Sequence, residues 1–338
     1  MINLKNDYNT IGDKSILEEL IKYSDELYIG YGEDSKSKEL NELINKLINK
    51  NADTYSLAGG TLTNVIALNQ MLKYPYEAVI TVDSSHINVH ETGALESTGH
   101  KIIYTPKNGS KIDIKEIKNT YNKFVDNHMV LPKALYLANA TELGEVYSLD
   151  ELKEINKICK ELNLYFFIDG ARLPIALASA NYNLKDIANL CDAFYIGGTK
   201  LGMPYGELLI IINDDLKTNF KYLIKNKLGM LAKGFVLPIM FLKFIKDDYY
   251  LKLANQSLKM ANLLREGLKD YIIYPNQTNQ IFIKIKKEHL DILKSKIEFE
   301  IWEDLNQFIV IRLVTSFNTK IEDINECINI FKSLKWSI

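Results

Sequence analysis

The chain has 338 residues, with 41 basic against 43 acidic side chains, a formal net charge of −2 and 47% apolar residues. A balance so close to neutral offers no concentrated basic face for phosphate neutralisation, which argues against a nucleic-acid partner. A chain of this length buries a core that needs neither disulfides nor a structural metal.

Cys159, Cys191 and Cys327 are odd in number and form no CxxC pair, so they read as small buried hydrophobes in a reducing compartment. No apolar run approaches the ~20 residues that cross a bilayer, and residues 1–7 lack the basic stretch and apolar core of a signal peptide. A cytoplasmic location is the expectation.

From about residue 35 to 212, short apolar runs alternate with helical stretches. The runs cover residues 54–57, 78–82, 101–104, 134–137, 165–168, 193–196 and 208–212. Several are apolar on both faces, as strands covered by helices on each side must be. The pattern predicts a three-layer α/β domain on a mostly parallel sheet, spanning residues 1–245 with the amino-terminal segment included. After Gly234 come long helical segments, then residues 280–286 and 307–314 with β-period alternation, then helical spacing over 321–334. These predict a small α+β domain over residues 246–338.

Four stretches join a strand end to reactive or anion-binding residues, and ligands of open α/β sheets gather at the carboxyl ends of strands. The first is Ala58-Gly59-Gly60-Thr61-Leu62-Thr63-Asn64, leading into an apolar helix over 65–72. Free backbone N–H groups at a glycine-bordered helix start can cradle a phosphate, although a plain capped turn fits equally well. The second, Ser84-Ser85-His86 onward to His90, puts an imidazole at a strand exit, where it can stack on a flat ring or move a proton. His86 and His90 alone are too little for zinc, so no metal is expected.

The third stretch, Phe167-Ile168-Asp169-Gly170-Ala171-Arg172, carries a carboxylate to a strand tip and a guanidinium three residues on. The guanidinium suits a substrate carboxylate, although a structural ion pair or a helix cap explains these residues as well. The fourth, Tyr195-Ile196-Gly197-Gly198-Thr199-Lys200, encloses one lysine among glycines and apolar residues, where desolvation makes its amine a nucleophile toward a carbonyl. Together the stretches hold what pyridoxal phosphate needs: a lysine, an acid for the ring nitrogen, a phosphate cradle, an aromatic cover and an arginine for the amino-acid carboxylate. Their order along the chain is that of aspartate-aminotransferase-type enzymes.

At these residues the sequence resembles the low-specificity L-threonine aldolases of the β-eliminating lyase group. The likeness runs from Asn6-Asp7-Tyr8 and Gly30-Tyr31-Gly32-Glu33-Asp34 to Arg312-Leu313-Val314-Thr315-Ser316-Phe317. It implies that Lys200 holds pyridoxal phosphate, Asp169 pairs with the ring nitrogen, His86 stacks on the ring, and Gly59, Gly60 and Thr61 bind the phosphate. Arg172 and Arg312 match the arginines of the substrate carboxylate, with Arg172, Thr199 and Lys233 also counted toward the cofactor. Tyr31 and Glu91 are implied on the substrate side. Part of each site is implied to come from a neighbouring subunit in a homotetramer built as a dimer of dimers.

Two positions depart from the family pattern. Glu142 stands where many members carry a histidine, and Phe235 stands where a bacterial subgroup shows arginine. The implied activity is cleavage of the Cα–Cβ bond of L-threonine or L-allo-threonine to glycine and an aldehyde. His86, His90 and Glu142 are all candidates for the base that takes the β-hydroxyl proton. Alternatives are a β-eliminating lyase such as a cysteine–sulfur lyase, an aminotransferase, or a non-catalytic relative, the last disfavoured by the retained lysine, aspartate and arginines.

Overall fold

The computed structural model describes residues 1–274 and 276–334. Seven strands form one sheet: β1 (Asp53–Leu57), β2 (Glu77–Thr81), β3 (Lys101–Tyr104), β4 (Leu131–Ala138), β5 (Tyr165–Asp169), β6 (Ala193–Gly197) and β7 (Glu207–Ile211). Their order is β1-β7-β6-β5-β4-β2-β3, with β7 antiparallel to both neighbours and the pairs from β6 across to β3 parallel. Each apolar run expected from the sequence is a strand of this sheet.

Alternation along the strands explains the two covering layers, because successive side chains point to opposite faces. Phe166, Ile168, Phe194, Ile196, Leu208 and Ile210 join one core, while Phe167, Tyr195, Leu209 and Ile211 join the other. Helix Gly60–Met71 covers the second face with Ile66, Leu68 and Met71, and it starts five residues earlier than the apolar spacing indicated. Its first turn carries the glycines and threonine, whose polarity hid it.

The small unit is an antiparallel sheet of β8 (Gln280–Lys286), β9 (Glu300–Leu305) and β10 (Phe308–Val314), with β10 in the middle. Helix Ile321–Ser333 buries Ile324, Cys327, Ile330 and Phe331 against it. Edge strand β9 escaped the sequence reading because Glu300, Glu303 and Asp304 interrupt its apolar pattern. The amino terminus also differs from expectation. Strand Ile2–Asn3 pairs in parallel with Ile297–Glu298, and Ile2 and Leu4 are buried in the small unit rather than the large one. Helix Tyr249–Gly267 serves both cores, giving Tyr250, Leu253 and Leu258 to the large one and Met260, Ala261 and Leu264 to the small one.

Candidate active site

Strand β5 ends on Asp169, which is buried at the carboxyl edge of the sheet. Oδ2 accepts from Tyr136 Oη at 2.5 Å and Asn64 Nδ2 at 2.9 Å; Oδ1 accepts from Tyr195 Oη at 2.6 Å and the Ala171 N–H at 3.0 Å. Tyr136 comes from β4 and Tyr195 from β6, on either side of β5. Their rings flank that of Phe167 at 6.0 and 6.3 Å, so an aromatic row underlies the carboxylate. Burial raises a carboxyl pKa, but the charge of His86 and the hydroxyls of Tyr136 and Tyr195 outweigh it and hold Asp169 below its ordinary value. The site therefore keeps a buried negative charge.

A hydrogen-bonded chain leads from this carboxylate to the strand exit of β2. Asn64 Nδ2 also donates to Glu91 Oε1 at 2.8 Å, and Glu91 Oε1 lies 2.7 Å from His86 Nδ1. The Glu91 side chain is fully buried whereas that of His86 is 31% exposed. Glu91 is thus the buried hydrogen-bond partner of the imidazole. Burial lowers the pKa of His86, but the Glu91 hydrogen bond and the charges of Glu142 and Asp169 raise it above the ordinary value. His90 is exposed, with its ring 5.5 Å from that of His86.

Lys200 follows β6 through Gly197 and Gly198. These glycines serve close backbone packing: a Cβ on Gly197 would sit 2.3 Å from the Ala171 carbonyl oxygen, and one on Gly170 only 1.6 Å from that of Tyr195. The Lys200 amine has no hydrogen-bond or ion-pair partner among the described residues. Burial and the neighbouring Arg172 lower its pKa against the opposing charges of Asp7, Glu142 and Asp169. An amine in this setting has the chemistry of a nucleophile toward a carbonyl. The Thr199 hydroxyl accepts the Gly206 N–H at 3.0 Å and closes the turn.

Arg172 is clamped by the amino-terminal segment, with Nε and Nη2 donating to Asp7 at 2.7 and 3.0 Å. Asp7 also accepts from Asn279 Nδ2 at 3.0 Å, which ties the large sheet to the small unit. Burial raises the Asp7 carboxyl, yet the charges of Arg172 and Lys200 hold it below the usual range. Arg312, on β10, is buried near Arg172. It donates to Gln280 Oε1 at 3.1 Å, pairs with Glu300, and lies 5.0 Å from the Trp302 ring; its Nε has no partner. The two guanidiniums thus lie close enough to feel each other's charge, and each is held by a carboxylate, Asp7 or Glu300, whose part the sequence did not reveal.

Helix Gly60–Met71 begins after Gly59 with no side-chain cap, and nothing lies within 4 Å of where a Gly59 Cβ would be. This start follows directly on the carboxyl end of β1. Tyr31 and Lys233 do not join this group within one chain. The Tyr31 N–H donates to Ala232 O, its ring lies under the Lys225 amine at 4.7 Å, and Lys233 is exposed. Phe235 stacks near Tyr28, with ring centroids 4.9 Å apart. The cysteines are buried and free, and no group of acidic, histidine or cysteine side chains suited to a metal occurs among the described residues.

Asn64, Tyr136, Tyr195 and Asp7 were missed as functional residues. A tyrosine inside an apolar strand was the available signal, since a buried hydroxyl needs a partner.

These residues fit pyridoxal phosphate. An unpartnered amine, an ionised buried carboxylate and an uncapped helix start share one crevice, where Ser85 Oγ, Asn64 Oδ1 and Glu91 Oε2 are buried without partners. The fold and the site define a pyridoxal-phosphate-type enzyme of aspartate-aminotransferase-like architecture. An aspartate aminotransferase from Thermus thermophilus superposes with a TM-score of 0.72 at 12% identity over 98% of this chain and 91% of that one. Residues 19–288 match the beta-eliminating lyase family, and the chain belongs to it. It is similar to the solved threonine aldolase of Leishmania major, with 37% identity, a TM-score of 0.96 and 99% of each chain covered. It is also 29% identical to the low specificity L-threonine aldolase of Pseudomonas aeruginosa, over 79% of each chain.

Proposed function

We propose that the protein is a pyridoxal-phosphate-dependent aldolase that cleaves L-threonine and L-allo-threonine to glycine and acetaldehyde. The reading is carried by the grouping of Lys200, Asp169, Arg172, Glu142 and His86 around one crevice at the strand tips. When bound, pyridoxal phosphate supplies an electron-withdrawing ring conjugated to the substrate nitrogen, which stabilises the charge left on Cα as the Cα–Cβ bond breaks. Lys200 holds that group, Asp169 keeps the ring nitrogen protonated, the Gly59-Gly60-Thr61 turn takes the phosphate, and His86 covers the ring. Each Asp169 oxygen already carries two donors, so a ring nitrogen competes with a tyrosine hydroxyl for one of them.

Arg172 and Arg312 hold the substrate carboxylate. Their clamp sets the orientation that puts Cα–Cβ, rather than another bond, in line for cleavage. Glu142 takes the β-hydroxyl proton. Its charge acts on both His86 and Lys200, which places it among the groups around the crevice. Tyr31 and Lys233 serve the site of a neighbouring subunit in a homotetramer, and the enzyme works in the cytoplasm.

The test is product analysis on both threonine diastereomers. Glycine and acetaldehyde in equal amounts support the reading. Pyruvate and ammonia from cysteine or serine, with no glycine from either threonine, would replace it with β-elimination.

A further inference from the structure

Glu207 opens β7, the strand that runs antiparallel between β1 and β6. Its partners across the sheet are Leu57, which leads into Gly59-Gly60-Thr61, and Gly197, which leads into Thr199-Lys200. The residue therefore sits between the proposed phosphate turn and the proposed cofactor lysine. Only 4% of it is exposed, and the four residues after it on the strand are buried and apolar.

The Glu207 carboxyl accepts the Gly198 N–H through Oε2 at 3.1 Å. No basic side chain forms an ion pair with it among the described residues. The Thr199 side chain on the same turn also bonds it, yet a carboxylate buried without an ion pair is costly, and an apolar residue or a glutamine would complete the strand more cheaply. The charged or titratable groups facing it are Lys200 on the adjoining turn, Asp169 on β5 and Tyr195 on β6. Burial pushes the Glu207 carboxyl up to about 8, against the Thr199 side chain, the Lys200 charge and the Gly198 N–H, which draw it down, while Asp169 adds to the rise.

We propose that Glu207 is a positioning residue for the cofactor lysine: it anchors the Gly198 amide two residues before Lys200, and its charge tunes how tightly the Lys200 nitrogen keeps its proton. This rests on the reading of Lys200 given above. Glu207 touches no reacting atom, so it acts through Lys200 alone.

The experiment is a pH titration of the bound cofactor's absorbance in the holoenzyme, for wild type, Glu207→Gln and Glu207→Asp, with thermal melts to show that each folds. Charge on Glu207 develops as the pH approaches about 8 and there favours the protonated nitrogen, so the Glu207→Gln midpoint should fall, by up to about one pH unit. Glu207→Asp keeps a charge but withdraws it, and its midpoint should lie between the other two. An unchanged or higher midpoint in Glu207→Gln overturns the proposal. If that variant does not fold, Glu207→Asp decides: a midpoint below wild type supports the role, and one at or above wild type overturns it. Borohydride trapping separates the two levels. Label at Lys200 with an unshifted midpoint removes only the role of Glu207, whereas label at another lysine removes the reading beneath it as well.

Discussion

Asp169 and Lys200 stand at the tips of neighbouring strands, yet Asp169 is fixed by four donors while the Lys200 amine has no hydrogen-bond partner among the described residues. The aspartate end continues through Asn64 and Glu91 to His86 as one hydrogen-bonded chain. At the lysine end, opposing charges from Arg172, Asp7 and Glu142 act on a side chain that no hydrogen bond holds among the described residues. The contrast follows from the two tasks. A fixed charge works best when preorganised, because it then needs no rearrangement during the reaction. A nucleophile that must make and release a bond needs slack.

If this contrast is right, damage at the lysine end lowers the rate without touching stability, and damage at the aspartate end lowers both. Among variants that keep Lys200, the largest rate effect is expected from Glu142→Gln, a loss of roughly 10²–10⁴-fold in kcat, with unfolding free energy within about 0.5 kcal/mol of wild type in urea titration. Asp169→Asn should lose on the order of 10²–10³-fold in kcat and also melt earlier, since the donors of Tyr136, Tyr195 and Asn64 then face a neutral amide. An equal stability for these two variants would break the comparison.

Asp7→Asn sharpens it, because Arg172 loses its charged partner and the carboxylate clamp loosens. The expected result is a KM for threonine raised by about tenfold or more, with a smaller change in kcat. Tyr195→Phe removes one hydroxyl from the ionised Asp169 and should reduce stability by about 1.5–3 kcal/mol, read from denaturant midpoints.

The smallest effect is a pH dependence. His86 has a folded-state pKa above its unfolded value, so its stabilising contribution is complete below about pH 6.5 and is lost as pH rises through the raised folded value. The stability difference between wild type and His86→Gln apoprotein should therefore shrink across that window. A difference that grows with pH would reverse the sign assigned to the Glu91 contact.

The large sheet was legible because its strands are apolar on both faces, and a buried parallel strand has little else to encode. Asp169, Lys200 and the Gly59-Gly60 turn were legible because each breaks such a run at its end. What stayed hidden depends on chain segments far apart in sequence. Asp7 meets Arg172 across 165 residues, and Asn64 meets Asp169 across 105. Strand β9 was missed because its charged residues are tolerated at an exposed edge, where no periodic apolar signal is required. The Glu91–His86 bond was hidden because sequence proximity does not say which way a side chain points. Tyr31 and Lys233 lie beside each other yet apart from Lys200, a relation that no local motif encodes.

The most direct test of the whole account is borohydride reduction of the purified holoenzyme, followed by digestion and peptide mass analysis. The account predicts a pyridoxyl-phosphate mass on the peptide carrying Lys200, absent in Lys200→Ala together with all turnover. A modified peptide that carries a different lysine, or turnover that survives in Lys200→Ala, would contradict it.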